Sequence, residues 1–215
     1  MGGIVVVFDF DKTIIDYDSD NWVVDELGFS DLFNQFLPTM PWNSFMDRMM
    51  KELHAQGKTI DDIAEVLKRT PIHYRVVPAI KAAHALGCEL RIVSDANLFF
   101  IEKILEYLGL KEYFSEINTN PGFVDEEGRL RIFSYHDFNK CSHGCNLSPP
   151  NMCKAEIHEW SDGEELELIL LQIISMISVE ENNDSSVQLI SIDCKLQTIS
   201  ASTHEALPQA LPVTQ

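Results

Sequence analysis

GGIVVVFDFDKTIID, residues 2–16, drives a β-branched, apolar stretch straight into three aspartates and a lysine. Taking a carboxylate out of water is costly unless a partner meets it. A strand that ends this way points either to a solvated capping turn or to a cluster that holds a cation. The apolar part does not alternate with polar residues, which is the pattern of a strand covered on both faces, as in a parallel sheet. In an extended chain residues two apart point to the same side, so Asp9 and Asp11 are expected to face one pocket and Lys12 the other side. Two carboxylates that close need a proton or a cation between them, and oxygen ligands suit Mg²⁺. Asp9 is then a candidate nucleophile toward phosphorus, giving an aspartyl-phosphate. Asp11 is a candidate acid for the leaving oxygen and afterwards a base for water.

The same pattern continues outward. CELRIVSD (88–95) reads as a second buried strand. It follows a helix over PAIKAAHALG (78–87), opened by Pro78 and stopped by Gly87. NLFFIEKILEYLGL (97–110) reads as a helix with Phe99, Ile101, Ile104, Leu105 and Leu108 at helical spacing and Gly109 as its stop. YFSEIN (113–118) reads as a third strand and GFVDEEGRLRIF (122–133) as a hairpin turning at Glu127-Gly128. Strands alternating with helices predict an α/β fold with a doubly wound parallel sheet. Ligands of such sheets sit beyond the carboxyl ends of the strands, where both acid-bearing turns lie. Between the first two strands come three further helical stretches, over 19–28, 40–57 and 59–69. They form an insert expected to fold over that edge as a lid.

Composition narrows the partners. The 215 residues carry a formal net charge of −18, which excludes nucleic acid and an anionic membrane as partners, because both require a basic surface. No stretch approaches the roughly 20 apolar residues of a membrane span. No basic region followed by an apolar run and a cleavage site is present, so the cytoplasm is the expected compartment. Five cysteines, an odd number, read as thiols or ligands rather than a disulfide framework. The oligomeric state is left open.

DFDKT after a hydrophobic strand resembles motif I, D-x-D-x-T, of the haloacid dehalogenase-like (HAD) phosphatases, and RIVSDAN (91–97) resembles their motif II. The longer stretches VVVFDFDKTIID, DSDNWVVDELG, LPTMPWNSFMDRMMKELH and RIVSDANLFFIE are similar to the phosphoethanolamine/phosphocholine phosphatase family, whose plant members include enzymes described as acting on pyrophosphate. The resemblance implies a Rossmann-like HAD core (1–17 and 77–154) with a helical type-1 cap (18–76). It implies Mg²⁺ as cofactor and a small phosphorylated metabolite or pyrophosphate as substrate. It places the nucleophile at Asp9, the acid/base at Asp11, and both among the metal ligands. Ser94 then binds the transferring phosphoryl group, and Asp95 and Asn97 lie at the substrate site. PPNMCK resembles motif III, whose lysine, Lys154, steadies the nucleophile and the phosphoryl group.

The resemblance breaks after Lys154. The fourth motif, G-D-G-x-x-D, which supplies the remaining protein ligand of Mg²⁺, occurs nowhere in the chain. AEIHEWSDGEELELILL follows directly and looks like the family's C-terminal segment. An internal deletion between Lys154 and Ala155 is inferred, leaving the core incomplete on its C-terminal side. Residues 155–179 read as a C-terminal helical segment and 180–215 as a flexible tail. Asp162 reads as a helix cap. Asp193, at the end of VQLISID, is a poor substitute for the missing acids. The deletion predicts an unpaired sheet edge, a weakened metal site and little turnover, so a catalytically impaired chain that only binds phosphate or a partner is the alternative function. His136, Cys141, His143, Cys145 and Cys153 form a loop in which zinc is a lesser alternative, since the spacing matches no regular finger.

Overall fold

In the computed structural model, residues 4–136, 151–154 and the backbone of 169–170 are described. The opening stretch forms β1 (Val5–Phe8), and β2 (Glu89–Asn97), β3 (Phe114–Asn120) and β6 (Ile169–Leu170) join it in a parallel sheet of order β3-β2-β1-β6. Val6, Val7 and Phe8 are buried, as the unbroken apolar run predicts for a strand covered on both faces. β6 (Ile169–Leu170) lies parallel to β1, with Val6 opposite Ile169 and Val7 opposite Leu170. At these two positions a strand takes the place of the helix expected over 155–179. Pairing along an open backbone edge outweighs local helical propensity there. Asp162, Asp193, the rest of 155–179 and the tail over 180–215 lie outside the described residues.

The helices follow their sequence signals with small shifts. α5 spans Val76–Ala85 and begins two residues before Pro78. Pro78 sits in the first turn, where a missing N–H costs nothing. α6 (Leu98–Leu108) starts directly at the end of β2 and stops at Gly109, whose left-handed φ of 62° closes the last turn. The hairpin is β4 (Gly122–Val124) with β5 (Leu130–Ile132).

Between β1 and β2 stand α1 (Ser19–Glu26), α2 (Ser30–Phe36), α3 (Trp42–Ala55) and α4 (Ile60–Leu67). α2 and the short 3-10 turn behind it, Leu37–Thr39, carry no buried residue and so left no clear periodic signal. α3 buries Phe45, Met46, Met49, Met50 and Leu53, each worth about 1.5–3 kcal/mol of apolar burial. α4 opens with a reciprocal capping box between Thr59 and Asp62. The insert shares one apolar cluster with the sheet: Val23, Phe45, Met46, Ile63 and Val66 belong with Val6, Phe8, Phe10, Ile92 and Phe100.

Among the described residues, no helix is long and apolar enough to cross a membrane.

Candidate active site

β1 ends at Phe8, so the pleat that was expected to aim Asp9 and Asp11 together stops just before them. The chain turns instead. The amides of Thr13, Ile14 and Ile15 all point at the Phe10 carbonyl, and Lys12 N donates to Tyr17 O at 3.1 Å. Lys12 takes φ 57°, the one positive φ of a non-glycine among the described residues, a conformation that costs on the order of 1 kcal/mol. The turn repays it by burying Ile14 and Ile15 and by bringing Ser19 back to Asp11. The Ser19 amide and hydroxyl donate to Asp11 Oδ1 and Oδ2 at 3.1 and 3.2 Å.

Asp9 has different company. Its Oδ1 accepts from Phe10 N at 2.8 Å, and its Oδ2 accepts from Lys154 Nζ at 2.8 Å. The same ammonium lies 3.1 Å from Asp95 Oδ1. Lys154 thus joins three stretches that are far apart in the chain: the end of β1, the end of β2 and the 151–154 segment. Burial pulls its pKa down, but the hydrogen bond and charge of Asp9 and the charge of Asp95 outweigh burial and hold it above the ordinary lysine value.

The remaining residues expected at the site sit around this junction. Ser94 is fully buried, and its Oγ accepts from Ala96 N at 3.3 Å. Asn97 is buried and caps α6 by accepting from Phe100 N at 3.1 Å, while its Nδ2 donates to Asp20 Oδ1 at 3.3 Å. Gly122 makes room for it: a Cβ there would lie 3.2 Å from Asn97 Oδ1 and 3.3 Å from Phe99 N.

Asp20 is a site residue that the sequence presents only as part of a helix start. Asp18 is the actual cap of α1, accepting from Asn21 N. Asp20 points inward, is 6% exposed, and accepts from Trp42 Nε1 at 2.7 Å. Burial, partly offset by that hydrogen bond and reinforced by the charge of Asp18, raises its pKa to about 7. Asp11 is likewise raised well above the ordinary value, first by burial and then by the charges of Asp20 and Asp18. The sequence does not single out Asn120 and Thr119: Asn120 Nδ2 donates to the carbonyls of Asp95 and Ala96 at 2.6 and 3.0 Å, and Thr119 Oγ1 to Ala96 O at 3.0 Å. They brace the end of β2 from the end of β3. Only their polar type at a strand end hinted at this.

Asp9 and Asp11 offer oxygen donors amid an acidic surplus from Asp18, Asp20 and Asp95, with Lys154 and the exposed Lys12 as the nearby cations. In kind and charge they fit a hard dication. Among the described residues, however, no three carboxylate, histidine or cysteine groups converge as a ligand set. Of the cysteine- and histidine-bearing loop, Cys141, His143 and Cys145 lie outside the described residues, and Cys153 is a buried thiol.

Comparison with known proteins gives three kinds of match. The family described as "Putative Phosphatase" matches residues 4–159. Inorganic pyrophosphatase 2 of Arabidopsis thaliana is 52% identical over 256 residues, covering 90% of this chain and 92% of the relative. Inorganic pyrophosphatase 1 of the same plant is 50% identical, covering 96% and 93%. A pyridoxal phosphate phosphatase of Mus musculus is 30% identical over 160 residues, covering 70% of this chain and 63% of the relative. A substrate-bound phosphoserine phosphatase structure aligns at a TM-score of 0.46 with 18% identity, covering 61% of each chain. Ninety per cent of 215 residues is about 194, so about 60 of the 256 positions aligned with the first relative have no residue here. The mouse alignment spans 160 positions for about 150 residues of this chain, 70% of 215, and is nearly without such gaps.

Proposed function

The chain belongs to this phosphatase family of HAD-like hydrolases, and on that premise we propose that Asp9 is its nucleophile and a small phosphate compound its substrate. The observation that carries the reading is the Lys154 ammonium between Asp9 Oδ2 and Asp95 Oδ1. It holds the Asp9 carboxylate in one orientation and offers a point charge to an incoming phosphoryl group.

A carboxylate oxygen of Asp9 forms a bond to phosphorus while the bond from phosphorus to the leaving oxygen breaks. Burial raises the pKa of Asp11, which suits it to give a proton to that oxygen. Water then attacks phosphorus of the aspartyl-phosphate and yields its proton to Asp11. That releases phosphate, restores the Asp9 carboxylate and returns the proton to Asp11. Ser94 orients the phosphoryl oxygens, and Asp95 and Asn97 line the side on which the leaving group sits. Mg²⁺, held by Asp9 and Asp11, would neutralise charge on the transferring phosphoryl group.

Pyrophosphate is the preferred substrate. The two plant relatives, about half identical over nearly all of this chain, are named for it. Phosphocholine and phosphoethanolamine are the alternatives.

A second reading, a chain that binds phosphate or a partner but turns over little, is favoured by the absence of a three-group ligand set among the described residues. It also rests on an internal deletion after Lys154, for which the roughly 60 unmatched alignment positions are the support.

Phosphate release from pyrophosphate, with and without Mg²⁺, separates the two. Release that requires Mg²⁺ and is lost in Asp9→Asn supports the first. Pyrophosphate binding by calorimetry with no release supports the second. Neither binding nor release would sink both.

A further inference from the structure

The segment that carries Lys154 is short and held at both ends. Met152 and Cys153 are both fully buried, Met152 against Val7 of β1 and Val93 of β2. Asn151 is 8% exposed and donates from Nδ2 to Asn43 Oδ1 at 2.9 Å. Its carbonyl accepts from His136 N at 3.0 Å. Asn43 is itself 4% exposed and spends its Nδ2 on the Phe133 carbonyl at 2.9 Å. Both amides are therefore committed inside the protein, where losing a partner leaves a polar group unpaired away from water.

Asn43 stands in the first turn of α3, next to Trp42, which holds Asp20. One turn further along, Asp47 accepts from Arg131 Nε and Nη2 at 2.8 and 3.2 Å and from Ile132 N at 3.1 Å. The start of α3 is thus tied to Asp20, to the hairpin and to the lysine segment at once. Asn151 lies three residues before Lys154, and the two residues between are fixed by burial, so little slack separates the amide pair from the ammonium.

We propose that Asn43 and Asn151 are positioning residues, whose hydrogen bond sets the Lys154 ammonium between Asp9 and Asp95 and makes that placement depend on the seating of α3. Only its consequence for turnover rests on the reading of Asp9 as nucleophile; the placement of the lysine stands without it.

The test is lysine labelling. The full chain is reductively methylated briefly under native conditions, and Lys154 is quantified by mass spectrometry against the exposed Lys68 and Lys81 of the same sample. Asn43→Ala and Asn151→Ala are expected to raise Lys154 labelling about tenfold relative to those two lysines. Asn43→Asp keeps an acceptor for Asn151 while losing the donor to Phe133, and is expected to stay within about twofold of the original chain. A purely structural role would lower the melting temperature in all three without singling out Lys154. Unchanged Lys154 labelling in Asn151→Ala, or equal labelling in Asn43→Asp and Asn43→Ala, overturns the proposal. If an alanine variant unfolds, all three lysines label alike, and Asn43→Asp decides by whether Lys154 alone stays protected. In parallel, kcat/KM for pyrophosphate is expected to fall about tenfold in the alanine variants. If the original chain releases no more phosphate than Asp9→Asn, the reading of Asp9 fails while the labelling still decides the placement of Lys154.

Discussion

β1 has two neighbours, and they are built very differently. On one flank β2 pairs with it over four residues, from Val5 opposite Glu89 to Phe8 opposite Ile92. That strand delivers Ser94, Asp95 and Asn97 to the edge, where Thr119 and Asn120 pin its last carbonyls. On the other flank β6 pairs over two residues. The sequence through it has no carboxylate between Glu167 and Glu180. The contrast teaches that the two halves of a phosphatase site can be separated. The side that carries Asp9, Ser94, Asp95 and Asn97 is over-determined by buried hydrogen bonds. The β6 flank is described only as two residues of backbone pairing.

Several measurements would break or sharpen that contrast. The largest effect is expected at Lys154, the junction of the well-built side. Lys154→Ala should cost about a hundredfold in phosphate release, the scale of losing one preorganised charge at a phosphoryl group. A loss under threefold would mean that the ammonium only fills space. Next comes the metal. With two carboxylates and no third among the described residues, Mg²⁺ should bind more weakly than about 1 mM by calorimetry in the absence of a phosphate ligand, and Asp11→Asn should abolish what binding there is. Micromolar binding would show that the poor flank is completed after all.

A smaller effect concerns pH. Asp20 titrates near 7 in the folded chain against the ordinary 3.8. Between those values the folded state keeps a proton that the unfolded chain has released. Its contribution to stability is therefore fully present below about pH 4 and is lost as pH rises through about 7. The melting temperature should be higher at about pH 5.5 than at about pH 8, and Asp20→Asn should flatten that slope. An unchanged slope would remove Asp20 from the buried charge cluster. Smallest is Gly122→Ala, whose Cβ would press on Asn97 Oδ1 and Phe99 N. About 1 kcal/mol of stability should be lost in denaturant titration, and no loss would show the end of β2 to be softer than its hydrogen bonds imply.

Much of this was legible beforehand because it rests on local rules. Unbroken apolar runs marked β1 and β2. Gly109 and the Glu127-Gly128 turn marked element ends. The helical spacing of Phe99, Ile101, Ile104 and Leu105 marked the buried face of α6. Other features were hidden because their cause is distant in the chain. α2 buries no residue, so it has no apolar stripe to read. Asp20 looks like a first-turn acid until Trp42 and Asn97 close over it. Alternation brings Asp9 and Asp11 to one side only in an extended strand, and β1 ends at Phe8.

By itself, the sequence determined the α/β alternation, the order of the motifs and the family, since these depend on residue type and spacing along the chain. Only the tertiary structure decided that the Lys154 ammonium also meets Asp95, that Asp20 is buried with a raised pKa, and that α3 is hydrogen-bonded to the lysine segment through Asn43 and Asn151. Such facts depend on burial and on partners as many as 145 residues apart, and no local pattern encodes how far a side chain will be from water once the chain has folded.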